Sequence, residues 1–326
     1  RRASGNGRGS RHHHHHCHQL DVPQSVEIVA RDPPRPAPEQ AGCNDAIASN
    51  QGISGNLEIS GNTVTNSGSG VHVDNWNGGG TVTIHDNTVT NGTAYAYGIW
   101  AFASYAPITI ADNTISGQYV SLMHAGTMAP AGVVTFENNE VTGGNYGFFQ
   151  TTDLFGYGNT NVTSVFVNNT IDGADTALAL NTDNTRTRTL TANENSITGN
   201  AIGAYLTSSG TDVDDMTCNW WGTTDPLVVD TLIDDGIAFL PFDNVGTDNS
   251  PAKGYQPVPS ACNGVGPVRV YSDNAETNLV ASYITIQSAI DAPSTLAGYV
   301  VRVDAGTYAE NLSVDKALDI RGPNYG

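Results

Sequence analysis

Val82-Thr-Ile84-His-Asp-Asn87-Thr-Val89-Thr90 is the stretch of sequence that decides the fold, because near-copies of it recur along the chain. In each copy apolar and polar residues alternate, as in a β-strand, until an asparagine interrupts the pattern and a second short strand begins. The copies centre on seven asparagines: Asn62, Asn87, Asn113, Asn139, Asn169, Asn195 and Asn219. Successive asparagines are 25, 26, 26, 30, 26 and 24 residues apart. A nearly constant period of this length predicts a solenoid.

The asparagines have a structural reason to recur. Asparagine tolerates left-handed backbone angles and hydrogen-bonds locally, so it suits a sharp corner. When coils stack about 4.8 Å apart, the asparagines lie above one another and their amides can bond along the row. We call this row the asparagine ladder.

A second set of short segments lies between the corners. These segments align as Gly70–Asp74, Gly98–Phe102, Tyr119–Met123, Gly147–Thr151, Ala177–Asn181 and Gly203–Thr207. Because strand residues alternate between faces, we expect one column to point inward. That column is Val71, Ile99, Val120, Phe148, Leu178 and Ala204. Two or three strands per turn of about 26 residues predict an all-β solenoid.

The Asn-Thr-Val/Ile turns, the two ladders and the closing Cys218-Asn-Trp-Trp-Gly222 resemble right-handed parallel β-helix repeat proteins. These form the pectate-lyase-like superfamily in its broad sense. The resemblance covers residues 46–242 and, separately, the last stretch of the chain, and it implies a right-handed parallel β-helix of about seven coils. It says little about function, since the superfamily includes lyases, hydrolases, esterases and non-enzymatic surface proteins.

The rest of the chain divides around this region. Residues 1–45 read as a low-complexity leader whose histidine run could bind a transition metal, although a tag explains it more simply. Residues 46–242 form the β-helix with its cap, and residues 243–267 a linker. Residues 268–326 resemble the cap and first coil of a second, truncated β-helix, with a helix beginning after Thr285. The N-terminus lacks an apolar signal core, so we expect a fragment of a longer secreted protein.

The charge of the chain excludes several partners. The net charge is −19, and residues 46–252 contain twenty acidic residues but only two basic ones, Arg186 and Arg188. Such a surface repels nucleic acid and anionic membranes. No run of 18 apolar residues exists, so we expect no membrane insertion.

The four cysteines allow three pairings. Cys218 and Cys262 flank the end of the solenoid, and we expect a disulfide there to fasten the cap to the linker. The alternative is that the thiols are free and buried.

Candidate ligand-binding residues lie on the outward side of the second set of segments. Exposed aromatic rings on a flat sheet can stack on the apolar faces of sugars, unless overlying loops bury them. The first outward column is His72, Trp100, Ser121, Phe149, Ala179 and Tyr205, and the next contains Asp74, Phe102, Met123, Thr151, Asn181 and Thr207. We expect His72, Trp100, Phe102, Phe149 and Tyr205 to bind a polysaccharide.

Two acidic residues could carry chemistry. Asp153 and Asp183 fall on adjacent rungs, where their carboxylates could lie about 5 Å apart, as in a retaining glycosidase or a calcium site. Arg186, Arg188 and His124 could lie nearby. The alternative is that both acids are ordinary solvated loop residues.

A second acidic group, Asp212, Asp214 and Asp215, could bind calcium near the cap. The regular Gly-Gly-x-Gly-x-Asp repeat of calcium-loaded solenoids is absent from the sequence, so a solvated group is the simpler interpretation.

These observations favour an extracellular or surface-displayed bacterial module that binds polysaccharide or mediates adhesion without catalysis. No cofactor is required, although calcium could contribute. The alternatives are a polysaccharide lyase or glycoside hydrolase acting at Asp153 and Asp183, with Arg186, and a purely structural spacer. A polysaccharide lyase needs basic residues to abstract a proton and to hold an acidic sugar. This region has only two arginines, which disfavours a lyase.

Overall fold

The computed structural model describes residues 27–28, 46–50, 53–65, 67–92, 95–183 and 185–325. Apart from the strand Glu27–Ile28, the predicted leader and its histidine run lie outside these residues. A parallel β-solenoid occupies residues 47–215, as predicted, with about six turns where about seven were expected, and a small β region follows it. In the described part of the chain, no helix is long and apolar enough to cross a membrane.

Three parallel sheets form the sides of the solenoid. Sheet A consists of Glu27–Ile28, Leu57–Ser60, Val82–His85, Ile108–Ala111, Val134–Glu137, Val162–Val167, Thr187–Asn193 and Thr211–Asp215. Sheet B consists of Ile47–Asn50, Ser69–Asp74, Tyr97–Ser104, Val120–Thr127, Tyr146–Thr151, Thr176–Thr182 and Ile202–Ser208. Sheet C consists of Thr63–Thr65, Thr88–Thr90, Thr114–Ser116, Glu140–Thr142, Thr170–Asp172 and Ser196–Thr198.

The apolar residues of the repeats stack into one continuous core. Ile84 pairs with Ile110, and Ile110 pairs in turn with Phe136 on the next rung of sheet A. All three are completely buried. No coil buries its apolar face alone, so neighbouring coils stabilise one another.

The asparagine ladder is confirmed. The Nδ2 of Asn113 donates to the Oδ1 of Asn139 at 2.9 Å and to the carbonyl oxygens of Ile84 and Ala111 at 3.0 and 2.8 Å. Its own Oδ1 accepts from the backbone and side-chain nitrogens of Asn87, at 3.0 and 2.9 Å. Asn62, Asn87, Asn113, Asn139, Asn169, Asn195 and Asn219 are all buried. Backbone N–H and C=O groups at the corner have no partner within the sheets. The asparagine ladder therefore provides their hydrogen-bond partners.

The left-handed residue at the corner is not the asparagine itself. It is the residue before it, as at Asp86 (φ 55°), Asp112 (φ 54°) and Glu194 (φ 57°). The asparagine points inward beneath that residue, where its amide reaches the backbone. Its role in the turn is thus hydrogen bonding rather than tolerance of a positive φ.

One coil of sheet B pairs differently from the prediction. Ile99 pairs with Leu122, not Val120, so that Met123 follows Trp100 in the outward column in place of Ser121, and Ala125 pairs with Phe102. The position occupied by Gly98 needs a small residue, since a Cβ there would lie 2.3 Å from the Ser121 carbonyl oxygen. In the next coil the small Ser121 occupies the position equivalent to Gly98, because Tyr119 is too large for it. The strand is therefore shifted by two residues from the predicted alignment.

The C-terminal end of the solenoid is capped. Trp221 is buried in the core, and the helix Pro226–Leu232 lies over the last coil with Val229 buried. The side chain of Asp225 caps this helix by accepting from the backbone of Leu227 at 3.0 Å. These contacts cover the end of the core, where an open strand edge would promote aggregation.

The segment predicted as a linker packs against the solenoid. Cys262–Gly264 pairs antiparallel with Phe242–Asp243. Tyr255 is buried, and its backbone nitrogen donates to the carbonyl oxygen of Asn168, 2.8 Å away. The Nζ of Lys253 donates to the carbonyl oxygen of Asp112. Residues 253–255 thus lie along the outside of the corners, where left-handed residues turn carbonyl groups outward.

The disulfide Cys218–Cys262 is confirmed, with Cα atoms 4.8 Å apart. It joins the last rung of the asparagine ladder to the packed segment. The chain-entropy model gives a stabilisation of about 4 kcal/mol for a loop of this length.

We therefore expect the Cys218→Ser, Cys262→Ser double variant to lose about 4 kcal/mol of unfolding free energy. Denaturant unfolding of the variant and of the oxidised protein measures this loss. Reduction of the wild-type protein provides the matched control and should give the same midpoint as the double variant. A variant as stable as the oxidised protein would show that the segment is held by its hydrogen bonds alone.

The small β region forms a four-stranded sheet of Val268–Tyr271, Leu279–Tyr283, Val300–Val303 and Asp319–Arg321. The helix Ile286–Asp291 packs on this sheet, and Thr285 caps it as predicted. Residues 312–314 are not a strand, and the backbone nitrogen of Ser313 donates to the Gln287 side chain at 2.8 Å. That this region begins a second β-helix remains a prediction.

Candidate functional site

Three large aromatic side chains lie on the outer side of sheet B. Trp100, Phe149 and Tyr205 occupy one outward column, on every second rung. Met123 and Ala179 occupy the rungs between them and are buried. Trp100 and Phe149 are half-buried, and Tyr205 is 46% exposed. We call this outer side of sheet B the aromatic face.

A second column on the same face repeats this alternation. Tyr97, Tyr146 and Ile202 lie on the same three rungs as the first set, and the buried Val120 and Thr176 lie between them. Each of these rungs therefore presents a pair of large side chains.

The first two pairs have similar geometry. The rings of Tyr97 and Trp100 are 5.5 Å apart with planes at 31°, and those of Tyr146 and Phe149 are 6.3 Å apart at 32°. Tyr97 and Tyr146 are not among the ligand-binding residues predicted from the sequence. The signal that could have found them is the shared spacing of Tyr97-Gly-Ile-Trp100, Tyr146-Gly-Phe-Phe149 and Ile202-Gly-Ala-Tyr205.

Two of the predicted ligand-binding residues are not exposed. Phe102 is buried beneath Trp76 and Tyr157, whose rings lie 5.4 and 6.2 Å from its own. These rings belong to loops outside the periodic pattern, which is why the expectation of an exposed Phe102 was wrong.

His72 is also buried and forms one end of the aromatic face. Its ring stacks on that of Trp100 with centroids 3.5 Å apart, and its Nε2 lies 2.5 Å from the Oδ1 of Asp74. The indole Nε1 of Trp100 donates to the Oγ of Ser69 at 2.9 Å. His72 and Ser69 thus hold the indole in place and cover one of its faces.

Asp153 and Asp183 are half-buried at the loop end of sheet B. The Oδ1 of Asp153 accepts from the backbone nitrogen of Phe155 at 2.8 Å. The Oδ2 of Asp183 accepts from the side chain of Asn159 at 2.7 Å. Arg186 is exposed, and its backbone nitrogen donates to the Asp183 carbonyl oxygen. The Asp153 carboxylate thus serves a local turn, whereas that of Asp183 bonds a residue of the neighbouring coil. Their catalytic role stays a prediction.

Two of the three acids predicted to bind calcium, Asp212 and Asp214, face an arginine. Arg188 is completely buried, and its guanidinium donates to both carboxylate oxygens of Asp214 at 2.6 and 2.7 Å. It also donates to the Oδ1 of Asp212 at 3.0 Å and to the hydroxyl of Thr182 at 2.9 Å. Among the described residues, no group of three or more His, Cys, Asp or Glu side chains could hold a metal ion.

The environments of these two acids shift their pKa values in opposite directions. Burial raises the pKa of Asp214 more than its hydrogen bonds to Arg188 lower it. Burial also acts to raise the pKa of Asp212, but bonds from Ser208, Thr182 and Arg188 outweigh it and lower the value. Asp215 lies apart from Arg188, with its carboxylate bonded to Thr217 and Asn193. Arg188 thus forms an ion pair with Asp214 and Asp212 at the end of the core, and Asp215 lies outside this pair.

His124 lies inside the solenoid rather than beside Asp153. It is completely buried, its Nδ1 is 2.8 Å from the Oγ of Ser164, and its Nε2 is 2.9 Å from the Oγ of Ser104. The side chain of Gln150 donates to the same Ser164 hydroxyl. Burial lowers the pKa of His124 to about 3, against a weaker opposing hydrogen bond to Gly126. This network is a polar part of the core, inaccessible to a ligand.

Comparison with known proteins agrees with this architecture. A family model described as "Right handed beta helix region" matches residues 54–217, which are 164 of the 326 residues. No curated protein and no solved structure matches the chain. The matched region holds most of the asparagine ladder and the whole stretch from Ser69 to Tyr205 that forms the aromatic face. The chain belongs to the right-handed β-helix family.

Proposed function

We propose that this β-helix is an extracellular or cell-surface module that binds polysaccharide on its aromatic face and has no catalytic activity. The observation that carries the proposal is the repeated pair of large side chains on alternate rungs of sheet B. Rings such as Trp100 and Tyr205 offer apolar surface to the C–H faces of pyranose rings. A linear row of such rings suits a polymer better than a compact ligand.

The same face is held rigid, which favours binding. Trp100 is fixed by its hydrogen bond to Ser69 and by stacking on His72. Side chains that are ordered before binding lose less conformational entropy when a ligand arrives. The sheet beneath them is a continuous parallel ladder of seven strands.

We propose no catalysis, because one oxygen of each candidate carboxylate accepts a hydrogen bond from within the fold. A retaining glycosidase needs two carboxylates directed at one bond, about 5 Å apart. Asp153 instead accepts from the backbone of Phe155, and Asp183 accepts from Asn159. An enzyme acting at these two residues is the rival proposal, and it predicts release of sugar products.

The disulfide supports an extracellular location, and the net charge bears on the class of partner. The disulfide Cys218–Cys262 is of a kind that persists in oxidising compartments. The net charge of −19 favours solubility and disfavours nucleic acid as a partner.

Replacing Tyr205 by Ala should weaken polysaccharide binding by about fivefold or more and leave the fold intact. Tyr205 is 46% exposed and lies at the end of the face, so its loss removes contact area at little cost in packing. The measurement is retardation on native gels that contain soluble polysaccharides. Tyr325→Ala is the matched control, because Tyr325 is 55% exposed and lies in the small β region. Equal retardation of both variants and the wild type would place binding elsewhere.

A further inference from the structure

We infer that the ligand is an uncharged, extended polysaccharide that lies along the solenoid axis and contacts the aromatic face with every second sugar. This inference rests on the proposed function and names the class of glycan. It combines two observations, the spacing of the large side chains and the charge around them.

The spacing is set by the parallel ladder. Neighbouring rungs of a sheet are about 4.8 Å apart, so side chains on alternate rungs recur about every 10 Å. Both columns of the face have this period: Tyr97, Tyr146 and Ile202 in one, and Trp100, Phe149 and Tyr205 in the other.

Within these two columns, the positions between the pairs carry side chains that do not protrude. Val120 and Met123 are 2% and 1% exposed, and Thr176 and Ala179 are 7% and 4% exposed. In these two columns, large side chains therefore alternate with buried ones, with a repeat of two rungs.

An extended β-1,4-linked glycan has a matching repeat. Its neighbouring sugars are turned over relative to each other, so that equivalent ring faces recur at every second sugar. Two sugars of such a chain span nearly the same length as two rungs. A chain parallel to the axis can therefore present equivalent faces to all three pairs at once, whereas a tightly coiled α-linked chain cannot.

The charge around the face excludes an anionic polymer. Asp74, Asp153, Asp175 and Asp183 lie at the ends of the sheet B strands that form it. Arg186 is the one exposed basic residue between residues 46 and 252 in the described part of the chain, because Arg188 is buried against Asp214. A polyuronate carries one negative charge per sugar, and this surface would repel it.

The first test compares soluble polysaccharides on native gels. We expect retardation by uncharged β-1,4-linked chains, such as galactomannan or hydroxyethylcellulose, and none by carboxymethylcellulose, polygalacturonate or alginate. Raising the salt concentration should change retardation less than about twofold, because no ion pairs are screened. Strongest retardation by a polyuronate, lost in Tyr205→Ala, would overturn the inference and leave the proposed function standing. No retardation by any polysaccharide would overturn both.

The second test measures affinity against chain length by titration calorimetry, with oligosaccharides of the polymer that binds. One pair contacts one sugar, two pairs need three sugars, and three pairs need five. Affinity should therefore rise by roughly fivefold at the third and fifth sugars and much less at the fourth. Tyr205→Ala should lose the last step and Tyr325→Ala should keep it. An equal gain with every added sugar would contradict the alternate-sugar register.

Discussion

Replacing Asn113 by Leu is expected to lower the free energy of unfolding by about 5 kcal/mol, because it removes the centre of the asparagine ladder. Leucine leaves the backbone nitrogen of Asn87 and the carbonyl oxygens of Ile84 and Ala111 without their side-chain partner. These groups lie at a buried corner, where each unsatisfied polar group costs about 1–3 kcal/mol. The cost should not be recovered by the apolar side chain, since the site is built of polar atoms.

Denaturant unfolding of the Asn113→Leu variant measures this loss. Asn145→Leu is the matched control, because Asn145 is exposed and its side chain donates to the carboxylate of the neighbouring Asp175 at the surface. We expect the control to stay within about 0.5 kcal/mol of the wild type. Similar stabilities for the two variants would show that the ladder does not hold the coils together.

The second large effect is a loss of stability in acid caused by His124. Its pKa is about 3 in the folded protein and about 6.5 in the unfolded chain. Between these values the unfolded state binds more protons, so the free energy of unfolding falls as the pH falls below 6.5. At pH 4.5 the loss from this residue is about 3 kcal/mol, and at pH 3 it is about 4 kcal/mol.

Unfolding of the wild type and of His124→Gln between pH 4.5 and 7.5 tests this account. The variant should be less stable at neutral pH, and its stability should decline less steeply below pH 6.5, by up to about 1.4 kcal/mol per pH unit. If the free energies of unfolding of the two proteins fell in parallel with pH, His124 would not titrate as its burial requires.

His85 provides a contrast with the opposite sign. Burial acts to lower the pKa of His85, but hydrogen bonds to Asp86 and Glu58 outweigh it, so the value is raised. Its contribution to stability is therefore full at low pH and is lost as the pH rises through the folded pKa. His85 links neighbouring coils on the surface, whereas His124 is enclosed by them.

The sequence was sufficient to predict the fold because the repeat is local and periodic. The row from Asn62 to Asn219 determines the stacking, and the strands follow from alternation on either side of it. It was insufficient where a coil departs from the period. The predicted alignment of Val120 with Ile99 was wrong. The need for a small residue at the position of Gly98 comes from a contact between coils, which the period of the sequence does not reveal.

The candidate site was predicted only in part for a related reason. The outward orientation of Trp100, Phe149 and Tyr205 follows from strand alternation. The burial of Phe102 depends on Trp76 and Tyr157, which belong to irregular loops. The pairing of Arg188 with Asp214 depends on which strands are neighbours in sheet A.

One measurement tests the central claim, polysaccharide binding without turnover, most directly. An uncharged β-1,4-linked polysaccharide is incubated for a long period with the wild type and with Tyr205→Ala, and both bound protein and released reducing ends are measured in the same samples. We predict that the wild type binds, that the variant binds at least about fivefold more weakly, and that neither releases sugar. Release of reducing ends by the wild type, abolished in an Asp183→Asn variant, would contradict the account and support an enzyme.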